Sequence, residues 1–397
     1  KFSLLRNSEQ GYTQMRTTVL KYCAVITVCL LLFLIPGMVE GQSLGFKGQA
    51  IGWTTLNPSE PFQAQTGLRY IPELNFTLPA GQYSIEGEFS ANLWSSSIYS
   101  QDSIELDGDI SPYRMWVKFS GDQFELRAGL QKINFGSAQM FRPLMWFDRI
   151  DPRDPLQLTD GVYGLLARYY FLNNANIWLW GIYGDDKVKG WEIIPSKKNS
   201  IEYGGRVQLP LFTGEIAASY HHRIADPGPV LPDSITLEET SPENRIGLDF
   251  KMDLAVGFWA EVTLSKQNFS YASFDYKSML NAGMDYTFGL GNGLNMMAEG
   301  FAYLQGESPF ANEEGIAFGL LSASYPVNII NNVSAMVFYD FINNNFYRFI
   351  NWTMAYDKWS FYIMGFWNPE TYSLYNVDPR TSLYGGWGFQ LMAVFNH

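Results

Sequence analysis

Leu68, Tyr70, Pro72, Leu74, Phe76 and Leu78 fall at a period of two, with Arg69, Ile71, Glu73, Asn75 and Thr77 between them. Such alternation is a strand with one apolar and one polar side. After Pro79-Ala80-Gly81-Gln82 it resumes: Tyr83, Ile85, Gly87, Phe89, Ala91 and Leu93 alternate with Ser84, Glu86, Glu88, Ser90 and Asn92. The pattern recurs along almost the whole chain. So many half-apolar strands exceed what one soluble core can bury, but they can wrap a cylinder whose outer face meets lipid. Aromatic residues reach 16% and charged residues only 17%, a balance that suits the interfacial girdles of a transmembrane barrel.

The N-terminal region predicts export. Met15 reads as a start, with residues 1–14 an upstream extension. Arg16 and Lys21 form a basic n-region, an apolar run extends from Cys23 to about Pro36, and Val39-Glu40-Gly41 precedes Gln42. This order predicts a signal peptide over 15–41, cleaved near Gly41, with an apolar run too short to span a bilayer. Both cysteines, Cys23 and Cys29, lie in it, so residues 42–397 need no disulfide. Residues 1–41 carry +2 of a whole-chain charge of −12, leaving −14 for the remainder. That charge argues against nucleic acid as a partner.

Eighteen segments of about ten residues, from 45–55 and 67–78 to 358–367 and 384–396, match the length of a tilted barrel strand. Their connections alternate in length. Those at 121–122, 173–174, 212–213 and 289–293 are short, whereas 95–111, 135–160, 224–243 and 368–383 are long. Short periplasmic turns and long external loops have this rhythm. The expected fold is all-β: a transmembrane antiparallel up-and-down β-barrel of about 18 strands over 42–397, both termini periplasmic. The last strand, with Trp387, Phe389, Leu391, Ala393 and Phe395 on one face, resembles the terminal signal read by the barrel-assembly machinery, although Asn396 and His397 follow. Pro72 in mid-strand predicts a bulge. Alternation blurs where Ile316, Phe318 and Leu320 oppose Ala317 and Leu321.

The polar phase supplies the pore-lining candidates Arg69, Arg114, Arg127, Arg168, Arg206 and Arg245, with Glu125 and Glu202 among the acidic partners. From residue 251 onward there are 6 basic and 12 acidic residues, and Glu261, Asp285 and Glu299 make that wall acidic. Opposed charge ladders across a pore orient and filter polar solutes; simple cross-strand pairing is the alternative. The long connection at 135–160 is too apolar for solvent, with Met140, Phe141, Leu144, Met145, Trp146 and Phe147. Residues about 137–158 are expected inside or across the external mouth, Trp146 and Phe147 against the wall. Arg142, Asp148, Arg149, Asp151, Arg153 and Asp154 would then narrow the pore. The aspartates lack calcium-loop spacing, so Asp-Pro turns are expected rather than a metal, and no cofactor is implied.

The run Arg127-Ala128-Gly129-Leu130-Gln131-Lys132-Ile133-Asn134-Phe135-Gly136, followed by the Asp-Pro segment, resembles eighteen-stranded bacterial outer-membrane porins, the alginate-export-like family in particular. The resemblance implies outer-membrane lipid as surroundings and passive diffusion of small polar or anionic solutes, acidic saccharides among them. Two other classes stand beside it. A barrel enzyme would need a constellation, and His221 with Glu215 and Ser219 on one strand face is the only candidate, with no Gly-x-Ser-x-Gly or His-Glu-x-x-His motif. A plugged structural or secretion-associated barrel would act through partners. Trp94, Trp116, Trp178, Trp180 and Trp259 read as lumen filler or girdle residues rather than sugar platforms, and the oligomeric state is left open.

Overall fold

The computed structural model describes residues 43–100, 103–150, 156–184, 187–230, 240–269, 274–370 and 383–397. The expected signal peptide at 15–41 and its upstream extension lie outside the described residues, as do Asp151, Arg153 and Asp154.

The alternating segments form eighteen strands. The first six are β1 (Ser43–Asn57), β2 (Gln63–Ala80), β3 (Tyr83–Ser100), β4 (Ser103–Ser120), β5 (Phe124–Gln131) and β6 (Val162–Tyr170). Next come β7 (Asn176–Tyr183), β8 (Ile201–Leu211), β9 (Gly214–Ala225), β10 (Ser241–Asp253), β11 (Gly257–Lys266) and β12 (Tyr276–Phe288). The last are β13 (Leu294–Gly306), β14 (Glu314–Pro326), β15 (Asn331–Asp340), β16 (Asn345–Ala355), β17 (Trp359–Trp367) and β18 (Trp387–Asn396). Each pairs antiparallel with the next, and β18 pairs with β1, closing the sheet. At the seam the Gly48 and His397 backbones exchange hydrogen bonds of 3.0 and 3.1 Å, and Tyr70 Oη lies 3.0 Å from His397 Nε2. Closure removes the unpaired sheet edge that a bilayer could not satisfy.

The two faces of this cylinder differ as the alternation requires. Leu165, Leu179, Leu209, Ile246 and Leu248 point outward and are 48–60% exposed, an exposure that suits a hydrocarbon solvent. Aromatic clusters mark both rims. Tyr83, Phe119 and Phe124 gather within 5.3–6.1 Å at the end carrying the termini, and Phe341 and Phe346 lie 4.9 and 4.6 Å from Tyr339 at the other. The connections between strands at the terminal end hold two to five residues, whereas those opposite include 132–161, 184–200 and 368–386. The former is the periplasmic end.

Two expectations need correction. The long connection expected at 95–111 is strand. β3 continues to Ser100 and β4 begins at Ser103, a hairpin that outruns β5, which pairs with β4 only over Met115–Ser120. Its serines and acidic residues, poor strand formers on average, disguised the alternation. Nor is there a bulge at Pro72. The β1–β2 register runs through Gly48–Pro72 unbroken, and the β2–β3 ladder skips Ile71 and Pro72 without shifting. The register shift falls one strand pair away, at Ser90/Ala91 between β3 and β4.

Gly129, in the run that carries the porin resemblance, has φ +119°, and a Cβ there would meet Met115 O at 2.1 Å. Gly129→Ala should therefore lower barrel stability by about 1–3 kcal/mol, the usual cost of forcing such a backbone. Gly45→Ala, with open space around it, should change little. Urea unfolding of the two variants in detergent micelles checks the contrast.

Candidate pore constriction

The chain leaves β5 at Lys132 and turns into the barrel. Gly136 makes the turn at φ +101°, where a Cβ would lie 2.3 Å from Glu261 Oε1; only glycine permits that approach. Beyond it the loop backbone is held by two wall carboxylates. Glu261 on β11 accepts the N–H groups of Ala138 at 2.7 Å and Leu144 at 3.0 Å. Glu299 on β13 accepts those of Gln139, Met140 and Phe141 at 2.9–3.0 Å, plus the Trp259 indole N–H at 2.9 Å. Both glutamates are almost wholly buried. Charge-assisted bonds from five loop amides thus satisfy two carboxylates that would otherwise be costly inside the barrel.

Side chains complete the seat. Phe141 stacks on Phe301 at 5.1 Å and Phe318 at 5.8 Å and meets Phe338 edge-on at 5.7 Å. Phe318, Leu320, Met336, Phe338 and Phe349 all face inward in this cluster. Here lies the reason for the blurred alternation at 316–321: the inner wall is apolar where the loop covers it. On the opposite side Trp146 and Phe147 are buried, with Phe147 5.6 Å from Trp180 and 5.0 Å from His221 of the wall. Fully burying each such aromatic contributes roughly 1.5–3 kcal/mol.

The connection after β7 folds in beside it. Lys189 Nζ donates to Glu202 Oε1 at 2.6 Å and Ser196 Oγ at 3.0 Å. Glu192 pairs with Arg223 at 3.4 Å and Arg245 at 2.8 Å, and Glu243 pairs with both arginines. Arg206 makes a bidentate pair with Asp249 at 2.5 and 2.8 Å.

Four of the expected pore-lining residues therefore need reassignment. Arg114, Arg206, Arg245 and Glu202 occupy the inward face, but each is less than 9% exposed. Arg114 is covered by the Thr159 and Asp160 carbonyls at 2.9 and 3.1 Å. Two loops fold over these groups, and a charge so covered persists only with partners.

The others stay closer to water. Glu125 pairs with Arg168 at 2.8 Å and Arg127 at 3.9 Å, near the periplasmic end, with side chains 13–19% exposed. Arg168 lies 3.7 Å over Trp178 and Arg127 4.7 Å over Trp116, while Arg69 approaches Trp53 at 5.7 Å. In the loop, Arg142 Nη2 donates to Asn134 Oδ1 at 2.6 Å and Arg149 Nε to Gly190 O at 3.3 Å. Asp148 is buried, and burial pushes its carboxyl up to about 6 against the pull of Lys132 and Arg114.

The catalytic candidate is not assembled. His221 meets Glu202 at 3.1 Å and receives the Trp180 indole N–H at 3.2 Å. Ser219 accepts from Arg206, and Glu215 accepts from Gln208.

Between loop and wall lies a cavity of about 420 Å³. Gln139, Met140, Arg142 and Gln157 line it on the loop side, and Asn295, Met297 and Ser322 on β13 and β14. Arg142 is its one charged lining residue.

No protein-family model matches the chain, and no curated protein matches it. Solved structures do. OccAB1 of Acinetobacter baumannii is 10% identical, with 91% of this chain and 98% of that one aligned and a TM-score of 0.54. OpdQ of Pseudomonas aeruginosa is 9% identical over 90% and 99%, TM-score 0.53. OccK5 (OpdH) of the same organism is 10% identical over 91% and 99%, TM-score 0.51. These are outer-membrane porins with an 18-strand barrel, and the fold of this chain is theirs.

Two outcomes follow from the seat. Glu261→Ala with Glu299→Ala removes the acceptors of five loop amides, each costing about 1–3 kcal/mol if left buried and unpaired. Single-channel conductance should rise, and protease should cut between 132 and 150; unchanged conductance and protection would contradict the anchoring. Asp148 titrates higher folded than free, so its seat is strongest below about pH 4 and weakens as pH climbs through about 6. Channel recordings from pH 4 to 7 should show closures shortening with rising pH, and Asp148→Asn should flatten that trend.

Proposed function

We propose that this protein is a passive channel of the bacterial outer membrane for small polar or anionic solutes, without catalytic activity. The observation that carries this reading is the cavity beside the inward loop, whose single charged lining residue is Arg142. A guanidinium in a narrow, partly desolvated passage favours anions and excludes cations of similar size. On β5 and β6, the water-accessible Arg127 and Arg168 share one carboxylate, Glu125, which leaves a local excess of positive charge. Acidic saccharides fall within this solute class, as the alginate-export-like resemblance suggests. The apolar packing around Phe141 favours a second reading, a barrel closed at rest and acting through partners.

Planar-bilayer recording of the purified protein in a salt gradient separates the two. The proposal expects an open channel with an anion-leaning reversal potential. Arg142→Ala, or Arg127→Ala with Arg168→Ala, should shift that potential toward cations. A barrel that never conducts supports the closed reading, and a cation-selective wild type overturns the solute assignment.

A further inference from the structure

Nearly all charged residues of the described strands point into the barrel. The two that point outward are Lys266 on β11 and Arg348 on β16. Both are exposed, with inward-facing neighbours buried on either side: Ser265 and Gln267 for one, Tyr347 and Phe349 for the other. Both sit at the external ends of their strands, and neither forms an ion pair with a described residue. Each cation lies against aromatic rings: Lys266 Nζ is 5.1 Å from the Tyr276 ring, and Arg348 is 5.3 and 5.2 Å from Phe346 and Trp367. In a chain whose residues 42–397 carry −14, an outer face bearing only cations, at one rim, asks for an anionic neighbour.

Around Lys266 the register builds a polar row. Tyr203, His222, Asn244, Lys266 and Tyr276 are successive cross-strand partners from β8 to β12. His222 is the outward member of the adjacent histidine pair, and the channel makes no use of it. Asn244 Oδ1 accepts from Tyr220 Oη at 2.7 Å and from His222 Nδ1 at 3.0 Å. Its amide hydrogens and the lysine ammonium therefore remain as donors side by side. Donors in a row at headgroup depth, flanked by tyrosines, match the oxygens of a phosphate monoester.

We infer that the external rim binds phosphorylated headgroups of outer-leaflet lipid, one at the Asn244–Lys266 pair and one at Arg348. A lipid rather than free phosphate is the occupant because both cations stand on the face that Ile246, Leu248 and Ile350 present to hydrocarbon, where acyl chains pack below the phosphate. The inference rests on the membrane orientation of the barrel and not on its solute.

The test is native mass spectrometry of the purified barrel titrated with bis-phosphorylated lipid A and with its dephosphorylated form. Wild type should retain the phosphorylated lipid preferentially. Lys266→Ala and Arg348→Ala should each weaken retention about fivefold, the usual contribution of one basic residue at an anionic surface. Lys266→Arg should keep it, and conductance should be unchanged in all three. Equal retention of both lipids, full retention by the double alanine variant, or displacement of lipid A by excess inorganic phosphate would each overturn the assignment. A wild type that retains lipid A but does not conduct defeats the channel proposal alone.

Discussion

Two carboxylates on the barrel wall, Glu261 and Glu299, decide what the lumen of this protein is. A cylinder of eighteen strands encloses a wide space, and without an inward element it would be an unselective hole. The loop that enters it exposes backbone N–H groups that need acceptors, and a glutamate inside a barrel needs donors. Each deficit satisfies the other, over chain separations of 117–160 residues. Once five amides are fixed, Phe141 is carried into the apolar patch of β13–β16 and Trp146 and Phe147 to the other side, so the loop crosses the lumen at mid-barrel. A cavity of about 420 Å³ lies between the loop and β13–β14.

The charged wall then divides into two populations. Beneath the loops, Arg206, Arg223 and Arg245 are tied to Asp249, Glu192 and Glu243 with almost no exposure. Removing one partner from such a group leaves a buried charge, so the pairs that Glu192 makes with Arg223 and Arg245 fix the connection after β7 in one arrangement more than they add net stability. Towards the periplasm, Arg127, Arg168 and Glu125 keep side chains 13–19% exposed. The same residue type thus meets different surroundings at different depths.

Much of the architecture was legible because a transmembrane barrel repeats one constraint. Lipid outside forces a period of two, and every strand from β1 to β18 obeys it closely enough to be counted. The failures fall where that constraint is relaxed or local. Above the membrane the hairpin of β3 and β4 has water on both sides, so Ser95–Ser100 lacks an apolar phase. At Phe318 and Leu320 both faces are apolar because a loop packs inside. The inward loop itself was legible from its aromatic content, but its anchors were not. Glu261 and Glu299 read as free wall charges, since no sequence pattern says which distant backbone will supply donors. The burial of Arg114, Arg206 and Arg245 escaped for the same reason.

That the loop occupies the lumen is the claim from which the rest follows, and residues 42–397 contain no cysteine to complicate its test. Phe141→Cys and Phe301→Cys replace two rings stacked at 5.1 Å, and a short thiol cross-linker applied to the folded barrel should join them. The account predicts near-complete cross-linking in the double variant, abolished when Glu261 and Glu299 are also changed to alanine. Two free thiols that a membrane-impermeant reagent labels rapidly from outside, with no cross-link, would contradict it.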